Sequence, residues 1–204
     1  MKTTPNPWAI ILGAGRSSRM GSDKLLLPID GKAAILLLLD TALSVCENVA
    51  LALGANYDAV APVVAAHPQA HRVRLAVNPQ PQRGMFSSVQ TGLAIVPRGA
   101  LVFVQPADQP LVRPEVYRCL LAALQPGDDA AAPALGERGG HPVLLSADFA
   151  HRLRQRPATS NLRDELLACA NVRRVPVNDP ATLHNWNTPA DIPTILREGD
   201  EPDK

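Results

Sequence analysis

Aromatic side chains are scarce in this sequence of 204 residues, where Phe, Trp and Tyr together make up 3%. Proteins that bind single-stranded nucleic acid stack the bases on aromatic rings, so this composition argues against that class. The formal net charge is +1, from 20 basic and 19 acidic residues. That balance lacks the basic excess of a protein that works on nucleic acid. We therefore expect no nucleic-acid partner.

Cysteine is also rare, and Cys46, Cys119 and Cys169 lie far apart in the sequence. No two of them have the spacing of zinc ligands, and an odd number does not suit a disulfide framework. Isolated thiols are typical of a reducing compartment. The segment 1–7 has no apolar signal core, and the longest apolar run, 33–39, is too short to span a bilayer. These features predict a cytoplasmic protein with no membrane partner.

Hydrophobic residues make up 46% of the chain, close to the average for globular proteins. The length suits one domain that buries a substantial core. We expect a single domain over 1–197 and a frayed, charged tail over 198–204.

Short apolar runs alternate with segments of helix length in the first half of the sequence. The predicted strands are 8–12, 48–53, 73–77 and 100–104, and the predicted helices are 32–45, 57–66 and 85–96. Such alternation predicts an α/β fold with a mostly parallel central sheet and helices on both faces.

The pattern is less regular in the second half. Predicted helices are 114–124, 148–154, 161–170 and 189–197, and predicted strands are 130–135, 142–145 and 172–177. Thr188 is the expected N-cap of the last helix, which has proline at its first position.

Three polar clusters follow predicted strands, at 13–24, 78–88 and 107–109. Ligands of open α/β sheets bind beyond the carboxyl ends of the strands. We therefore expect these clusters to converge on one crevice.

The first cluster, "LGAGRSSRMGSDK" at 12–24, has the composition of a phosphate-binding loop. Glycines let backbone N–H groups converge on an anion, and Arg16, Arg19 and Lys24 supply positive charge. The loop fails the P-loop pattern because Ser22 stands where lysine is needed, and Ser18 replaces the third glycine of the dinucleotide fingerprint. The alternative is a solvated turn with its cations in water.

The stretch "LGAGRSSRMGSDKLLLPIDGK" resembles the signature of the nucleotidyltransferases of molybdenum cofactor biosynthesis, roughly L-x-[AG]-G-x-S-x-R-M-G-x-D-K. The resemblance continues through "NPQPQRGMFSSVQTGL", "PADQPLV", "GGHPVLL" and "NWNTPAD", and so covers nearly the whole chain. It implies a three-layer, Rossmann-like nucleotidyltransferase fold, with nucleotide bound in the N-terminal half and acceptor in the C-terminal half. The first and third blocks look closest to the cytidylyl branch of this family.

The activity that this resemblance implies is transfer of a nucleotidyl group from CTP to a molybdopterin-type acceptor, with Mg²⁺ as cofactor and pyrophosphate as product. A molybdoenzyme or its chaperone is a further implied partner. Alternatives on the same fold are a guanylyltransferase, a sugar- or alditol-phosphate nucleotidyltransferase, and a non-catalytic protein that delivers the cofactor. A nicotinamide-dependent oxidoreductase is disfavoured, because the second strand is followed by Gly54 and not by an acidic residue.

The resemblance also implies the site residues. The catalytic residues would be Lys24 at the α-phosphate, Arg19 at the β- and γ-phosphates, and Asp108 as a magnesium ligand. Nucleotide binding would involve Leu12, Gly13, Ala14, Gly15, Arg16, Asn78, Gly84, Ser87 and Ser88. Acceptor binding would involve Gly140 and His141, and the second metal ligand would be Asn187.

Structural explanations exist for several of these residues. Asp108 has the type and position of a helix cap, Asn187 suits a turn before Thr188, and a histidine in a turn such as His141 is often structural. The sequence also departs from the cytidylyl branch at 157–162, where the glycines of that branch are missing. That departure concerns the acceptor half and leaves the nucleotide half intact.

Overall fold

The apolar runs form the strands of a central sheet in a computed structural model, which describes residues 7–15, 23–186 and 191. The strands are β1 Trp8–Leu12, β2 Pro28–Ile29, β3 Lys32–Ala33, β4 Asn48–Leu53, β5 Val73–Val77, β6 Val102–Pro106, β7 Ala130–Leu135, β8 Arg138–Gly139, β9 Val143–Leu145 and β10 Val172–Pro176. The helices are α1 Ala34–Leu43, α2 Tyr57–Ala65, α3 Met85–Ile95, α4 Pro114–Ala123, α5 Ala147–Arg154 and α6 Leu162–Leu167.

The main sheet has the strand order β10-β7-β9-β6-β1-β4-β5, with β8 beside β7, and β2 and β3 form a separate hairpin. β1 runs parallel to both of its neighbours, β4 and β6, whereas β9 runs antiparallel to β6 and β7. The prediction of an α/β fold with a mostly parallel sheet is confirmed.

Alternate residues of β1 enter different cores, as the period of a strand requires. Ile11 packs in the core that includes side chains of α1, α2 and α4. Ile10 packs in the core that includes α3 and α5. The contact with α3 is close, because a Cβ on Gly92 would lie 2.4 Å from Cγ2 of Ile10. The two cores produce three layers, with helices on both faces of the sheet.

Two predicted boundaries are wrong in ways that affect the site. The helix predicted from residue 32 begins at Ala34, because Lys32–Ala33 pairs with Pro28–Ile29 around a two-residue turn. Asp30 and Gly31 in that turn have φ values of 49° and 79°, as a type I′ hairpin turn demands. The strand predicted over 100–104 is Val102–Pro106, so Asp108 follows it by two residues.

Thr188 and the tail 198–204 lie outside the described residues, and of the predicted helix 189–197 the structure describes Asp191, which is helical. Within the part of the chain that is described, no helix has the length and apolar character needed to cross a membrane.

Candidate active site

The carboxyl ends of β1 and β6 open into a cavity of about 200 Å³. Because these two strands are parallel neighbours, the loops that follow them face each other. The cavity is lined by Leu12, Gly13, Ala14, Gly15, Asp23, Lys24, Leu25, Pro81, Gly84, Met85, Ser88, Pro106, Ala107 and Asp108. The three polar clusters of the sequence therefore meet in one place.

Gly13 and Gly15 have different surroundings in the first loop. A Cβ on Gly13 would lie 3.0 Å from Cδ1 of Leu25 and 3.1 Å from Cδ2 of Leu53, so this glycine lets the turn pack against β4. The carbonyl of Gly13 also accepts a hydrogen bond of 3.0 Å from Nδ2 of Asn56. A Cβ on Gly15, by contrast, would meet no atom of the described residues within 4 Å. Gly15 lines the cavity, so among those residues its backbone remains accessible to a ligand.

The side chain of Asp23 orders the turn that carries Lys24. Its Oδ1 accepts a hydrogen bond of 3.0 Å from the backbone N–H of Leu25, and its carbonyl accepts one of 2.9 Å from Leu26. Such local bonds from an aspartate side chain fix a turn. Nζ of Lys24 then lies 3.7 Å from Oδ2 of Asp108, with side-chain exposures of 21% and 23%. A cation and a carboxylate thus share the cavity and remain accessible to a ligand.

The loop that carries Asp108 (107–113, the Asp108 loop) is bonded to β1 and to a late segment of the chain. The N–H of Ala107 donates to the carbonyl of Leu12 at 3.3 Å, and the N–H of Trp186 donates to the carbonyl of Asp108 at 2.5 Å. Beneath the loop, Oε1 of the fully buried Gln105 accepts a hydrogen bond of 3.1 Å from the hydroxyl of Tyr117. Burial raises the pKa of Tyr117, so this hydroxyl stays protonated and available as a donor.

Asn78 and Ser87 lie in a buried network behind the cavity. Nδ2 of Asn78 donates to the hydroxyl oxygens of Ser87 at 2.8 Å and Ser88 at 3.0 Å. Oδ1 of Asn78 accepts from the N–H of Gln80 at 2.9 Å, and the Ser87 hydroxyl lies 2.7 Å from the carbonyl of Gly84. The polar atoms of Asn78 are therefore bonded within the protein, and they shape the loop that brings Ser88 to the cavity.

Gly84, Met85 and Ser88 form the side of the cavity at the start of α3. Gly84 has a φ of +98°, a conformation that glycine adopts without strain. The positive end of a helix dipole stabilises negative charge nearby. This side of the cavity is therefore suited to a phosphate-bearing ligand.

Gly140 and His141 are not among the residues that line the described cavity, although His141 is near enough to Asp108 for that carboxylate to affect its pKa. A Cβ on Gly140 would lie 2.3 Å from the carbonyl oxygen of Thr182, so packing alone requires a glycine at this position. Burial lowers the pKa of His141, while a backbone hydrogen bond at Val104 and the negative charge of Asp108 act to raise it. Overall the pKa of His141 is lowered, which favours the neutral imidazole.

The structure thus brings most of the predicted residues together. Leu12, Gly13, Ala14, Gly15, Lys24, Gly84, Ser88 and Asp108 line one cavity. Asn78 and Ser87 are bonded to each other next to Ser88, and Gly140 and His141 are not lining residues of the cavity. Arg16, Arg19 and Asn187 lie outside the described residues.

Sequence reasoning missed several residues at or beside the cavity. Asp23 is a fixed acidic position of the signature, but no role was predicted for it. Its side chain accepts a hydrogen bond from the N–H of Leu25 and so stabilises the turn. Gln105 carried no local signal, since an apolar strand does not reveal its bond to Tyr117. Gln109 and Trp186 stand in blocks that carry the family resemblance, but their bonding partners lie far away in the sequence, so no role was predicted for them.

The fold is that of the α/β nucleotidyltransferases. A solved nucleotidyl transferase from Methanothermobacter superposes with a TM-score of 0.78 at 23% identity, over 96% of each chain. The chain belongs to the family of the MobA-like NTP transferase domain, whose family model matches residues 9–173. It is therefore a nucleotidyltransferase.

Two further relatives extend this comparison. The molybdenum cofactor cytidylyltransferase of Escherichia coli K12 is 26% identical over 185 residues, which cover 91% of this chain and 93% of that protein. The protein Rv0371c of Mycobacterium tuberculosis H37Rv has a TM-score of 0.78 at 24% identity, over 96% of this chain and 99% of that one. A second structure of that protein is a complex with manganese, with a TM-score of 0.72 at 22% identity, covering 94% and 98% of the two chains.

Proposed function

We propose that this protein transfers the cytidylyl group of CTP to the phosphate of a molybdopterin-type acceptor, with Mg²⁺ as cofactor. The likeness to the molybdenum cofactor cytidylyltransferase over nine-tenths of both chains supports the choice of reaction. The observation that carries the proposal is the pairing of Lys24 with Asp108 in one cavity, 3.7 Å apart. Nucleotidyl transfer needs both an ammonium group for phosphate oxygens and a carboxylate for a divalent ion.

The donor set at this cavity fits magnesium. Mg²⁺ binds through one or two carboxylates together with phosphate oxygens and water, and Asp108 is a partly exposed carboxylate at the cavity wall. Asp108 would hold the ion, with Asn187 as the proposed second ligand. When bound, the ion would neutralise charge on the triphosphate. The manganese complex of Rv0371c supports a divalent ion in a protein of this fold.

The bond changes of the proposed reaction are simple. A phosphate oxygen of the acceptor attacks the α-phosphorus of CTP, the bond to the β-phosphate oxygen breaks, and pyrophosphate leaves. The protein contributes position and charge, as in other phosphoryl transfers. Lys24 would bind the α-phosphate, where its ammonium group stabilises charge that builds up during attack. Loss of one such donor typically slows an enzyme about a hundred- to a thousandfold.

The remaining parts of the triphosphate are assigned to the first loop and to α3. The open backbone at Gly15 and the side chains of Arg16 and Arg19 would bind phosphates. The start of α3, with Gly84 and Ser88, would bind the nucleoside. Asn78 and Ser87 would act by shaping that wall of the cavity.

The acceptor would bind at Gly140 and His141, which do not line the cavity proposed for the nucleotide. A neutral imidazole both donates and accepts hydrogen bonds, which suits a phosphate or a pterin edge. The charge of Asp108 acts on His141, so the acceptor would lie close to the proposed metal ligand. Delivery of the product in the cytoplasm to a molybdoenzyme or its chaperone completes the proposal.

The test is pyrophosphate release with each of CTP, GTP, UTP and ATP, in the presence of Mg²⁺ and molybdopterin. We expect turnover with CTP that depends on both the acceptor and the metal. Turnover with GTP but not CTP would make the protein a guanylyltransferase. Turnover only with a sugar or alditol phosphate would show that molybdopterin is not the acceptor. Nucleotide binding with no turnover on any acceptor would favour a delivery protein.

A further inference from the structure

Gln109 connects the Asp108 loop to a segment far along the chain. It is buried, with 4% of its surface exposed. Nε2 donates to Oδ1 of Asn185 at 2.9 Å and to the carbonyl of Thr182 at 3.3 Å. Both donor hydrogens of this amide are thus directed to the 179–186 segment.

The carbonyl of Thr182 is a shared acceptor for two parts of the site. It accepts from Nε2 of Gln109 and, at 3.0 Å, from the backbone N–H of His141. Thr182 is fully buried, and Gly140 is packed so closely against its carbonyl that a Cβ would not fit. The loop that carries the proposed metal ligand and the loop proposed for the acceptor therefore meet at one backbone oxygen.

Both ends of the 179–186 segment are also bonded to the Asp108 loop. At one end, Oδ2 of the buried Asp179 accepts a hydrogen bond of 2.9 Å from the backbone N–H of Arg113. At the other end, Trp186 donates its N–H to the carbonyl of Asp108. The Trp186 side chain is 1% exposed and packs with Ile29 and Ala34. The segment is thus anchored in the core, and Gln109 bonds to it midway between these ends.

We propose that Gln109 is a positioning residue, which holds Asp108 and the 179–186 segment in the arrangement that binds a metal–nucleotide complex. The inference rests on the proposed role of Asp108 in binding the metal. Gln109 adjoins Asp108 in the chain, so its side-chain bonds limit how far the Asp108 backbone moves. Its partner Asn185 lies two residues before Asn187, the proposed second metal ligand.

The proposed role of Gln109 requires the amide group of a glutamine side chain. Both acceptors of Nε2 are oxygens, so a carboxylate at position 109 would face two oxygens without a proton to donate. A methionine of similar length would keep the packing and lose both bonds. Residues that orient metal ligands from behind typically contribute about 10- to 100-fold to metal affinity or activity, and we expect an effect of that size.

The test compares Gln109→Met with Gln125→Met in the full chain. Gln125 is an exposed glutamine whose side chain makes one long bond, of 3.4 Å, to a neighbouring carbonyl. Free Mn²⁺ is measured by electron paramagnetic resonance during titration in the presence of CTP, at a temperature where circular dichroism shows each variant folded. We expect Gln109→Met to raise the Mn²⁺ dissociation constant about 10- to 100-fold, and Gln125→Met to leave it within twofold of the wild-type value.

Two changes at Asn185 give an independent measurement if Gln109→Met does not fold. Asn185→Leu removes the shorter of the two Gln109 bonds and should weaken Mn²⁺ binding, whereas Asn185→Asp keeps an accepting oxygen and should bind no more weakly than the wild type. A folded Gln109→Met or Asn185→Leu protein with wild-type Mn²⁺ affinity would overturn the positioning role while the proposed function stands. A wild-type protein that binds no Mn²⁺ with CTP would overturn both.

Discussion

Nζ of Lys24 lies 3.7 Å from Oδ2 of Asp108 across the cavity, at the carboxyl ends of the neighbouring strands β1 and β6. Both side chains are partly exposed, so in water this pair is a weak contributor to stability. In the proposed complex, phosphate oxygens would bind Lys24 and the metal ion would bind Asp108, so each group would exchange this pairing for a contact with the ligand.

Replacing Lys24 with methionine should lower kcat about a hundred- to a thousandfold, because the group that stabilises charge at the α-phosphate is lost. The matched control is Lys32→Met, since Lys32 is a partly exposed lysine that also pairs with a carboxylate, that of Asp40. Steady-state pyrophosphate release with CTP measures both. Equal rates for the two variants would show that Lys24 takes no part in the reaction.

Replacing Asp108 with asparagine should raise the Mg²⁺ concentration needed for half-maximal rate by at least about tenfold, because the ion loses a charged ligand. Asp58→Asn is the control, since Asp58 is an exposed aspartate in the first turn of α2. A magnesium titration at fixed CTP gives the values. An unchanged midpoint for Asp108→Asn would place the metal elsewhere.

Substitutions of the two neighbouring serines of α3 should have different effects. Ser88 lines the cavity and accepts one bond from Asn78, so Ser88→Ala should raise the KM for CTP about 2- to 10-fold, the loss of one hydrogen bond. Ser87 is not a lining residue and bonds to both Asn78 and Gly84, so Ser87→Ala should have the larger effect on the free energy of unfolding and lower it by about 1–3 kcal/mol. Urea denaturation together with nucleotide kinetics on both variants checks the contrast. A larger KM change for Ser87→Ala would reverse these roles.

The adjacent glycines at the end of β8 form a matched pair for packing. Gly140→Ala would place a Cβ 2.3 Å from the Thr182 carbonyl oxygen, whereas a Cβ on Gly139 would meet no atom within 4 Å in the part of the chain that is described. We expect Gly140→Ala to lower the free energy of unfolding by about 1–3 kcal/mol, and Gly139→Ala to change it by less than about 0.5 kcal/mol. Chemical denaturation measures both, and equal stabilities would contradict the close contact.

The three thiols should react with a disulfide reagent in a fixed order. Cys119 is exposed and should react first. Burial raises the pKa of the Cys169 thiol, which is partly exposed, and raises that of the fully buried Cys46 much further. Because the thiolate is the reactive form, Cys169 should be slower and Cys46 should react only when the protein unfolds. Mass spectrometry of peptides during labelling gives the order, and early modification of Cys46 would contradict the packing around it.

The sequence predicted the strands β1, β4 and β5 at their observed bounds, because β1 and β4 are short, mostly apolar runs that end at glycine and β5 ends before Asn78-Pro79. β6 was placed two residues too early, since Gln105 interrupts its apolar pattern. The amide of Gln105 is bonded to the hydroxyl of Tyr117 in α4 and to the nearby carbonyls of Pro106 and Gln109. These bonds offset the cost of burying a polar side chain in a strand, and the apolar pattern of the strand does not reveal them.

The hairpin β2–β3 was not predicted, for a different reason. Asp30-Gly31 is a strong local signal for a hairpin turn, but the long apolar run that follows it favoured a helix from residue 32. The candidate site, like the fold, could be predicted only where the signal is local. The position of Lys24 in the cavity could be predicted because Lys24 belongs to a short motif. The Gln109–Asn185 bond could not, because it joins positions too far apart for any motif to connect them.

The bonds between the 179–186 segment and the Asp108 loop have a consequence for synthesis on the ribosome. The strands that carry Lys24 and Asp108 emerge well before Trp186, so a nascent chain can form its sheet while the Asp108 carbonyl and the Gln109 amide still lack their partners. In the proposed reaction, the site would be complete only once residues 179–186 have emerged and bonded to the Asp108 loop. A chain truncated before residue 179 would keep Lys24 and Asp108 but lack the contacts that we propose position Asp108.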